Sequence, residues 1–357
     1  MTRQVHTAGP GNEDYRSTRF AATVDGDTAF VYGWRRTAEF GAPGLWEAGD
    51  TVEAAFFTYG ADEDTTIVVS LVGGTAITSA VVYPKELGIT ATVGGGTASI
   101  TVTIANLRKP LRLEVNGDTA NVLHIHPHGL KSTPPGGYVT YDGSQASVPD
   151  GTCLLFPAGR WDLVTEGEGA WGAKLFPVGI GSTVYLEEGA VVIGSFDLRQ
   201  GVGDARTVGT GISIRGPGIL SGEWLDNEDL PAGTFLEQLE FALVMGYVAS
   251  EAGSGNSISE CTLVRSPFHT IDAVSINSIT DAHVYSPWTN NSDGFKVIGD
   301  QSNSNIGTIT NCSAWTGDDS LVPEDDARHV TVTGCLPSSA SPAAIHLGCP
   351  APALDPG

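Results

Sequence analysis

Short runs in which apolar and polar residues alternate fill the first third of the chain, separated by turns rich in Gly and Asp. An alternation of period two places every second side chain on one face, which is the pattern of a strand with one buried side. Several such strands at short intervals predict a β-sandwich domain over residues 1–135. The clearest examples are residues 28–32, 51–57, 66–72, 99–104 and 112–115.

The pattern changes after the turn-rich segment 132–137, where the strands become shorter and richer in Val and Ile. From residue 256 onward one motif recurs: a small polar residue, an aliphatic residue, Ser or Thr, a variable residue, and then Cys or Ala. Its aliphatic positions are Ile258, Ile279, Ile309 and Val332. Repeats of about 20 to 30 residues are typical of solenoids, so the sequence predicts a right-handed parallel β-helix over residues 136–357.

The repeat also predicts the environment of the cysteines. The chain has five cysteines without C-x-x-C spacing, which argues against a zinc site. Cys261, Cys312 and Cys335 occupy the last position of the motif, where the side chains of successive coils stack. We therefore expect these three residues to be buried, unbridged members of a small-residue ladder inside the helix.

Charge narrows the choice of partners. The 357 residues include 41 acidic and only 18 basic side chains, a formal net charge of −23 at pH 7. This charge argues against nucleic acids, anionic membranes and polyanions, and it suits a neutral ligand. No apolar run reaches the length of a membrane span, and the N-terminus lacks the apolar core of a secretory signal. The residues alone leave the cellular compartment open.

Two acidic motifs carry the candidate chemistry, one at residues 291–293 (Asn-Ser-Asp) and one at residues 317–319 (Gly-Asp-Asp). Residues one coil apart lie side by side in a solenoid, so Asp293 is expected to face Asp318 and Asp319. Two or three carboxylates in one groove are the catalytic groups of glycoside hydrolases. The alternative is that they are solvated acids of turns, where Asp is common.

Two further segments precede the acidic motifs, residues 187–196 (EEGAVVIGSF) and residues 214–223 (IRGPGILSGE). In this order the four motifs resemble glycoside hydrolase family 49, the dextranase and isopullulanase group, and the related family 28 polygalacturonases. The resemblance implies a β-sandwich joined to a catalytic right-handed β-helix, with no cofactor and no metal. It also implies endo-acting, inverting hydrolysis, with Asp318 as general acid and Asp293 and Asp319 as the pair that holds and deprotonates the water.

Five further residues are candidates for substrate binding, each with a structural alternative. His346 lies where family 28 carries a histidine after its Asp-Asp motif, but its neighbours match only in part, and a packed or exposed His is the alternative. Trp288 and Trp315 precede the acidic motifs and could stack on sugar rings or belong to the core. Lys296 could bind substrate or be solvated, and Asn291 could merely shape the turn that aims the following carboxylate.

Two other clusters of polar residues are less informative. Residues 124–128 read His-Ile-His-Pro-His, and alternation places His124, His126 and His128 on one strand face. No carboxylate or Cys lies at a useful spacing, so a surface or domain-seam position is expected rather than a metal site. Residues 324–326 (Glu-Asp-Asp) are expected to form a solvated loop.

Two departures from the family bear on substrate and activity. The chain stops soon after Cys349 with a Pro-rich tail, so the β-helix is expected to be short, open at its C-terminal end and prone to self-association there. The Arg-x-Lys substrate clamp of family 28 is not visible. Its absence and the net charge favour a neutral α-glucan such as dextran over a uronate polymer.

Three interpretations follow from these observations. The first is an extracellular, secreted polysaccharide hydrolase of the dextranase type, although no signal peptide is visible. The second is a non-catalytic or inactive β-helix that binds carbohydrate or is structural, such as a phage tail component or a truncated gene product. The third is a hydrolase of another polysaccharide, similar to the polygalacturonases. The early end of the chain favours the second interpretation, and the three Asp residues favour the first.

Overall fold

The chain folds into two compact units, Met1–Ser132 and Thr133–Gly357; the sequence places this boundary after residue 135. A computed structural model describes most of both units, and in that part of the chain no helix is long and apolar enough to cross a membrane. The described residues are 4–35, 51–58, 64–103, 108–128, 133–163, 175–201, 207–223, 242–246, 254–266, 269–274, 276–287, 292–298, 307–324, 330–339 and 344–345.

The first unit is a β-sandwich, as the alternating pattern predicts. One sheet contains Gln4–Val5, Val31–Arg35, Thr51–Thr58, Ala80–Tyr83, Leu111–Val115 and Asp118–His128. The other contains Phe20–Val24, Asp27–Ala29, Thr65–Leu71, Ala91–Gly94 and Thr97–Val102. Two short 3-10 helices lie at Glu13–Tyr15 and Lys85–Leu87. The apolar residues of both sheets form one core, which the alternation of buried and exposed positions along each strand produces.

The second unit is a parallel β-helix, which confirms the predicted fold. The first parallel sheet contains Val139–Thr140, Cys153–Phe156, Thr183–Leu186, Ser213–Arg215, Asn256–Ser259, Ile276–Thr280, Thr308–Thr310 and Thr331–Thr333. The second contains Gly159–Asp162, Ala190–Ile193, Ile219–Ser221, Thr262–Val264, His283–Ser286, Ser313–Thr316 and Leu336–Ser339. The third contains Leu175–Pro177, Ser195–Asp197, Val244–Gly246, Ile271–Val274, Phe295–Ile298 and Leu321–Glu324. Outside these three sheets, Arg199–Gln200 and Thr207–Val208 form a small antiparallel pair.

The recurring motif marks the first parallel sheet. Its four aliphatic residues pair in register from coil to coil, in the order Ile258, Ile279, Ile309 and Val332. The first three are almost fully buried in the apolar core of the helix. Val332 is 41% exposed, because it lies in the coil whose strand Thr331–Thr333 is exposed throughout.

The corner between the first and second sheets uses left-handed backbone. The variable residue of the motif, Glu260, Asp281, Asn311 or Gly334, has a positive φ of 52° to 66° in each coil. This conformation is unfavourable for residues with a Cβ, although Asn and Asp tolerate it best. The Asn311 side-chain amide donates to Asp281 Oδ1 at 3.2 Å, which links two consecutive corners.

The cysteine ladder is confirmed, with one correction. Cys261 and Cys312 are fully buried, and both they and Cys335 are free thiols. Cys335 is half-buried rather than buried, because it belongs to the same exposed coil as Val332. The Cys312 backbone N–H points at the Cys335 sulfur, 3.4 Å away. Cys349 lies outside the described residues.

The burial of the thiols predicts their reactivity. Burial raises the pKa of Cys261 to about 12, and burial also raises that of Cys312 well above its usual value. Hydrogen bonding with Cys312 lowers the pKa of Cys335. We expect a thiol reagent to label Cys335 first among these three, and Cys261 and Cys312 only as the protein unfolds. Labelling at native pH, mapped by peptide mass spectrometry, measures this order, and rapid native labelling of Cys261 would contradict the ladder.

Candidate active site

The candidate site lies at the corner between the second and third parallel sheets. Three consecutive coils pair their third-sheet strands in register: Ile271–Val274, Phe295–Ile298 and Leu321–Glu324. His269, Asp293 and Asp319 each lie two residues before one of these strands. Adjacent strands are about 4.8 Å apart, so the ladder places these three ionisable residues one above another at the edge of the sheet.

Backbone hydrogen bonds extend the ladder into this corner. The Thr270 N–H donates to the Asp293 carbonyl at 2.7 Å, and the Gly294 N–H donates to the Asp319 carbonyl at 2.9 Å. Gly294 permits the close approach, because a Cβ at this position would lie 2.6 Å from the Ser320 carbonyl oxygen. The main chain of both carboxylate residues is therefore fixed by the same bonds that stack the coils.

Hydroxyl groups hold the turn that carries Asp318. Thr316 Oγ1 donates to the Asp318 carbonyl at 2.7 Å, and Ser339 Oγ donates to the same oxygen. In the preceding turn, Ser292 Oγ donates to the Ser286 carbonyl at 2.6 Å and accepts from the backbone N–H of Gly317 at 2.9 Å. Ser292, the middle residue of the first acidic motif, thus ties the two acidic motifs together.

Asp293 is the electrostatic centre of the cluster. Its side chain is only 11% exposed, and burial raises its pKa to about 6. Electrostatic interaction with His269 and Lys296 opposes this rise in the pKa of Asp293, whereas the carboxylates of Asp318 and Asp319 add to it. All four groups therefore lie close enough to Asp293 to act on its charge. The structure brings the three predicted carboxylate residues together at one corner.

His269 is a member of this cluster that the sequence reading missed. Its Nε2 lies 3.4 Å from Asp293 Oδ2, and both side chains are almost completely buried. The sequence does contain a signal that aligns the two turns. A small residue precedes the first apolar residue of the third-sheet strand in both, as Thr270-Ile271 and as Gly294-Phe295. The recognised repeat follows the first sheet, so it did not align the turns that precede the third.

The other predicted residues have different outcomes. Lys296 is half-buried on the strand that follows Asp293 and lowers the pKa of that carboxyl electrostatically. Trp315 is buried in the second sheet, with 6% of its surface exposed, and it is Ala314 beside it that packs in the apolar core of the helix. Asn291, Trp288 and His346 lie outside the described residues.

Glu223, the last residue of the segment 214–223, forms an ion-pair bridge at the same corner of earlier coils. Its Oε1 lies 2.7 Å from Arg160 Nη2, and its Oε2 lies 4.0 Å from Arg265 Nη1. Ser221 Oγ also donates to Glu223 Oε2, at 3.3 Å. The bridge joins side chains from three different coils.

His124 and His126 are buried, which corrects the surface alternative of the expected surface or domain-seam position; the exposure of the His128 side chain lies outside the described part of the chain. His124 and His126 stack with their ring centroids 6.3 Å apart. Burial, reinforced by the charge of Arg112, lowers the pKa of His124 to about 3, so its ring is neutral at pH 7. Within the described part of the chain, no group of three or more His, Cys, Asp or Glu could hold a metal ion.

The buried carboxylate predicts a pH-dependent stability. Because the pKa of Asp293 is about 6 in the folded protein against an ordinary 3.8, its contribution to stability is full below pH 3.8 and is lost as the pH rises through 6. We expect Asp293→Asn to raise the free energy of unfolding at pH 7 by up to about 3 kcal/mol, since one pKa unit is worth about 1.4 kcal/mol. The gain should shrink toward zero near pH 4.

Urea denaturation at pH 4 and pH 7 measures this difference. Asp27→Asn, which removes an exposed carboxylate of the sandwich, is the matched control and should change the free energy of unfolding little at either pH. An Asp293→Asn variant that is less stable than the wild type at pH 7 would show that the carboxylate is stabilising instead.

Comparisons with known proteins address the fold. No protein-family model matches the chain, and no curated protein matches it. Among solved structures, Dex49A from Penicillium minioluteum matches with a TM-score of 0.58 and 15% sequence identity, over 90% of this chain and 70% of that one. The family 28 exopolygalacturonase of Yersinia enterocolitica matches with a TM-score of 0.35 and 12% identity, over 78% of this chain and 68% of that one. The resemblance to family 49 that the motifs indicate is therefore confirmed at the level of the fold.

Proposed function

We propose that the chain is a glycoside hydrolase that cleaves a polysaccharide internally with inversion, and that its substrate is a neutral α-glucan such as dextran. The observation that carries the proposal is the meeting of Asp293, Asp318 and Asp319 at one corner of the β-helix, where the pKa of Asp293 is about 6. The similarity in fold to Dex49A, a family 49 dextranase, supports it.

The proposed reaction divides two tasks among the three carboxyl groups. Asp318, protonated, donates its proton to the glycosidic oxygen as the bond to the anomeric carbon breaks. Asp293 and Asp319 hold a water on the opposite face, and Asp293 takes a proton from it as the new C–O bond forms. The released sugar has the inverted anomeric configuration, and Asp318 and Asp293 exchange their protons with solvent before the next cycle.

The raised pKa of Asp293 suits the role of base. A base works best when its pKa is close to the working pH, because it is then ionised yet still basic. An Asp with its ordinary pKa near 4 would be a weak acceptor of the proton from water. Burial within the corner raises the pKa of Asp293 toward that range, while the charges of His269 and Lys296 limit the rise.

The charge of the site bears on the substrate. Three acidic side chains face the position proposed for the scissile bond, and the chain as a whole carries a formal charge of −23. A polymer of uronates would be repelled by this field, whereas a neutral glucan would not. Because such a polymer is too large to enter a cell, we infer that the protein acts outside the cell.

The first experiment is an assay for reducing ends with dextran, pullulan and polygalacturonate, with the anomer of the first product observed by NMR. We expect hydrolysis of a neutral glucan with inversion, and a rate that falls as the pH drops below about 6, because Asp293 must be ionised to act as base. Asp318→Asn should lose about 10²- to 10⁴-fold in kcat.

Two outcomes would contradict the proposal. A rate that instead falls as the pH rises through 6 would assign Asp293 as the acid. Folded protein without activity on any of these polymers would favour a non-catalytic β-helix.

A second experiment tests the backbone that aims Asp293. A Cβ at Gly294 would meet the Ser320 carbonyl at 2.6 Å, so Gly294→Ala should push the turn out of register. Displacement by about 1 Å can cost about 10²-fold in rate, and we expect a loss of that order in kcat. Gly307→Ala is the matched control, since its Cβ would find only ordinary contacts at 3.7 Å and beyond. Equal rates for the two variants would contradict the proposed position of Asp293.

A further inference from the structure

His269 has no part in the reaction proposed above, yet it contacts one of the reacting groups. Its Nε2 lies 3.4 Å from Asp293 Oδ2, and its side chain is 10% exposed. In the described part of the chain, the other buried histidine of the β-helix is His283, whose Nδ1 contacts Ser313 Oγ at 3.0 Å. The two histidines thus have similar burial but different neighbours.

The position of His269 is fixed by its own backbone contacts. Ser266 Oγ donates to the His269 carbonyl at 2.7 Å, and the backbone N–H of Ser266 donates to Ser286 Oγ at 2.5 Å. The next residue, Thr270, donates its N–H to the Asp293 carbonyl at 2.7 Å. The imidazole and the carboxylate are therefore attached to two coils that are bonded to each other at this point, which leaves little freedom for them to separate.

The groups that face Asp293 come from three coils. His269 precedes it by one coil, Lys296 lies on the strand that follows it, and Asp318 and Asp319 lie one coil later. Of the two positive groups, His269 has the larger effect on Asp293. Its Nε2 approaches Oδ2 of the Asp293 carboxylate at 3.4 Å.

We propose that His269 is a positioning residue of the hydrolase: by donating from Nε2 to Asp293 Oδ2, it keeps Asp293 ionised among three crowded carboxyl groups. This inference rests on the proposed function and gives the reason why Asp293 acts as the base while Asp318 acts as the acid. A hydrogen-bond donor or a positive charge next to a carboxylate favours its ionised form. Without His269, Lys296 is the remaining group among these that opposes the rise in the pKa of Asp293, which burial and the two neighbouring carboxylates cause.

The inference predicts a shift of the acidic limb of the pH profile. Loss of a hydrogen-bond donor or of an opposite charge next to a carboxylate raises its pKa, by about one to three units for a full opposite charge. We therefore expect His269→Asn to move the acidic limb of kcat upward from about pH 6 by at least one unit, while the rate on the plateau above it changes less. His269→Lys restores a positive donor and should return the limb toward that of the wild type. His283→Asn is the matched control and should leave the limb in place.

A second measurement separates this inference from the proposed function. The carboxyl ¹³C signal of Asp293, assigned by its absence from the Asp293→Asn protein, reports the pKa of this group without any substrate. We expect that pKa to be higher in His269→Asn than in the wild type and to fall again in His269→Lys. An active wild type with the same limb and the same carboxyl pKa in all three proteins would overturn the role of His269 and leave the hydrolase intact. A shifted carboxyl pKa in a protein that cleaves no glycan would reject the hydrolase, and with it the positioning role.

Discussion

The in-register parallel ladder of the β-helix is the constraint on which the rest of the structure depends. Each coil is bonded to the one before it through three sheets, so a residue at a given ladder position recurs about 4.8 Å away in the next coil. Most differences in coil length are confined to the turns, although one extra residue, Asn277, forms a bulge within the strand Ile276–Thr280. Two acidic motifs at the same corner of consecutive coils must therefore form one cluster.

The same ladder also buries ionisable side chains close to one another at the candidate site. Separate loops would let three carboxylates move apart or into water, but the bonds from Thr270 to Asp293 and from Gly294 to Asp319 hold them in place. The raised pKa of Asp293 is the direct consequence. The apolar side chains stacked inside the helix supply the stability that makes such an arrangement tolerable.

The corners show how far a sequence motif can be understood without the structure. The variable residue of the repeat looks uninformative, because it is Glu, Asp, Asn or Gly in successive coils. In the structure it is the residue with positive φ that turns the chain from the first sheet to the second. The requirement is on the backbone rather than on the side chain, and several residue types meet it.

The sequence by itself determined the strands, the division into sandwich and helix, and the register of the first parallel sheet, because apolar side chains repeat wherever a strand faces a core. It also predicted that Asp293 lies near Asp318 and Asp319, because the two acidic motifs occur in consecutive coils, but it did not give the alignment of the turns that carry them. Only the tertiary structure decided the place of His269, because turns of unequal length precede the third sheet and linear spacing does not give their register. Burial was decided there too: Trp315, His124 and the half-buried Cys335 differ in exposure according to what packs over them, and a local pattern does not contain that information.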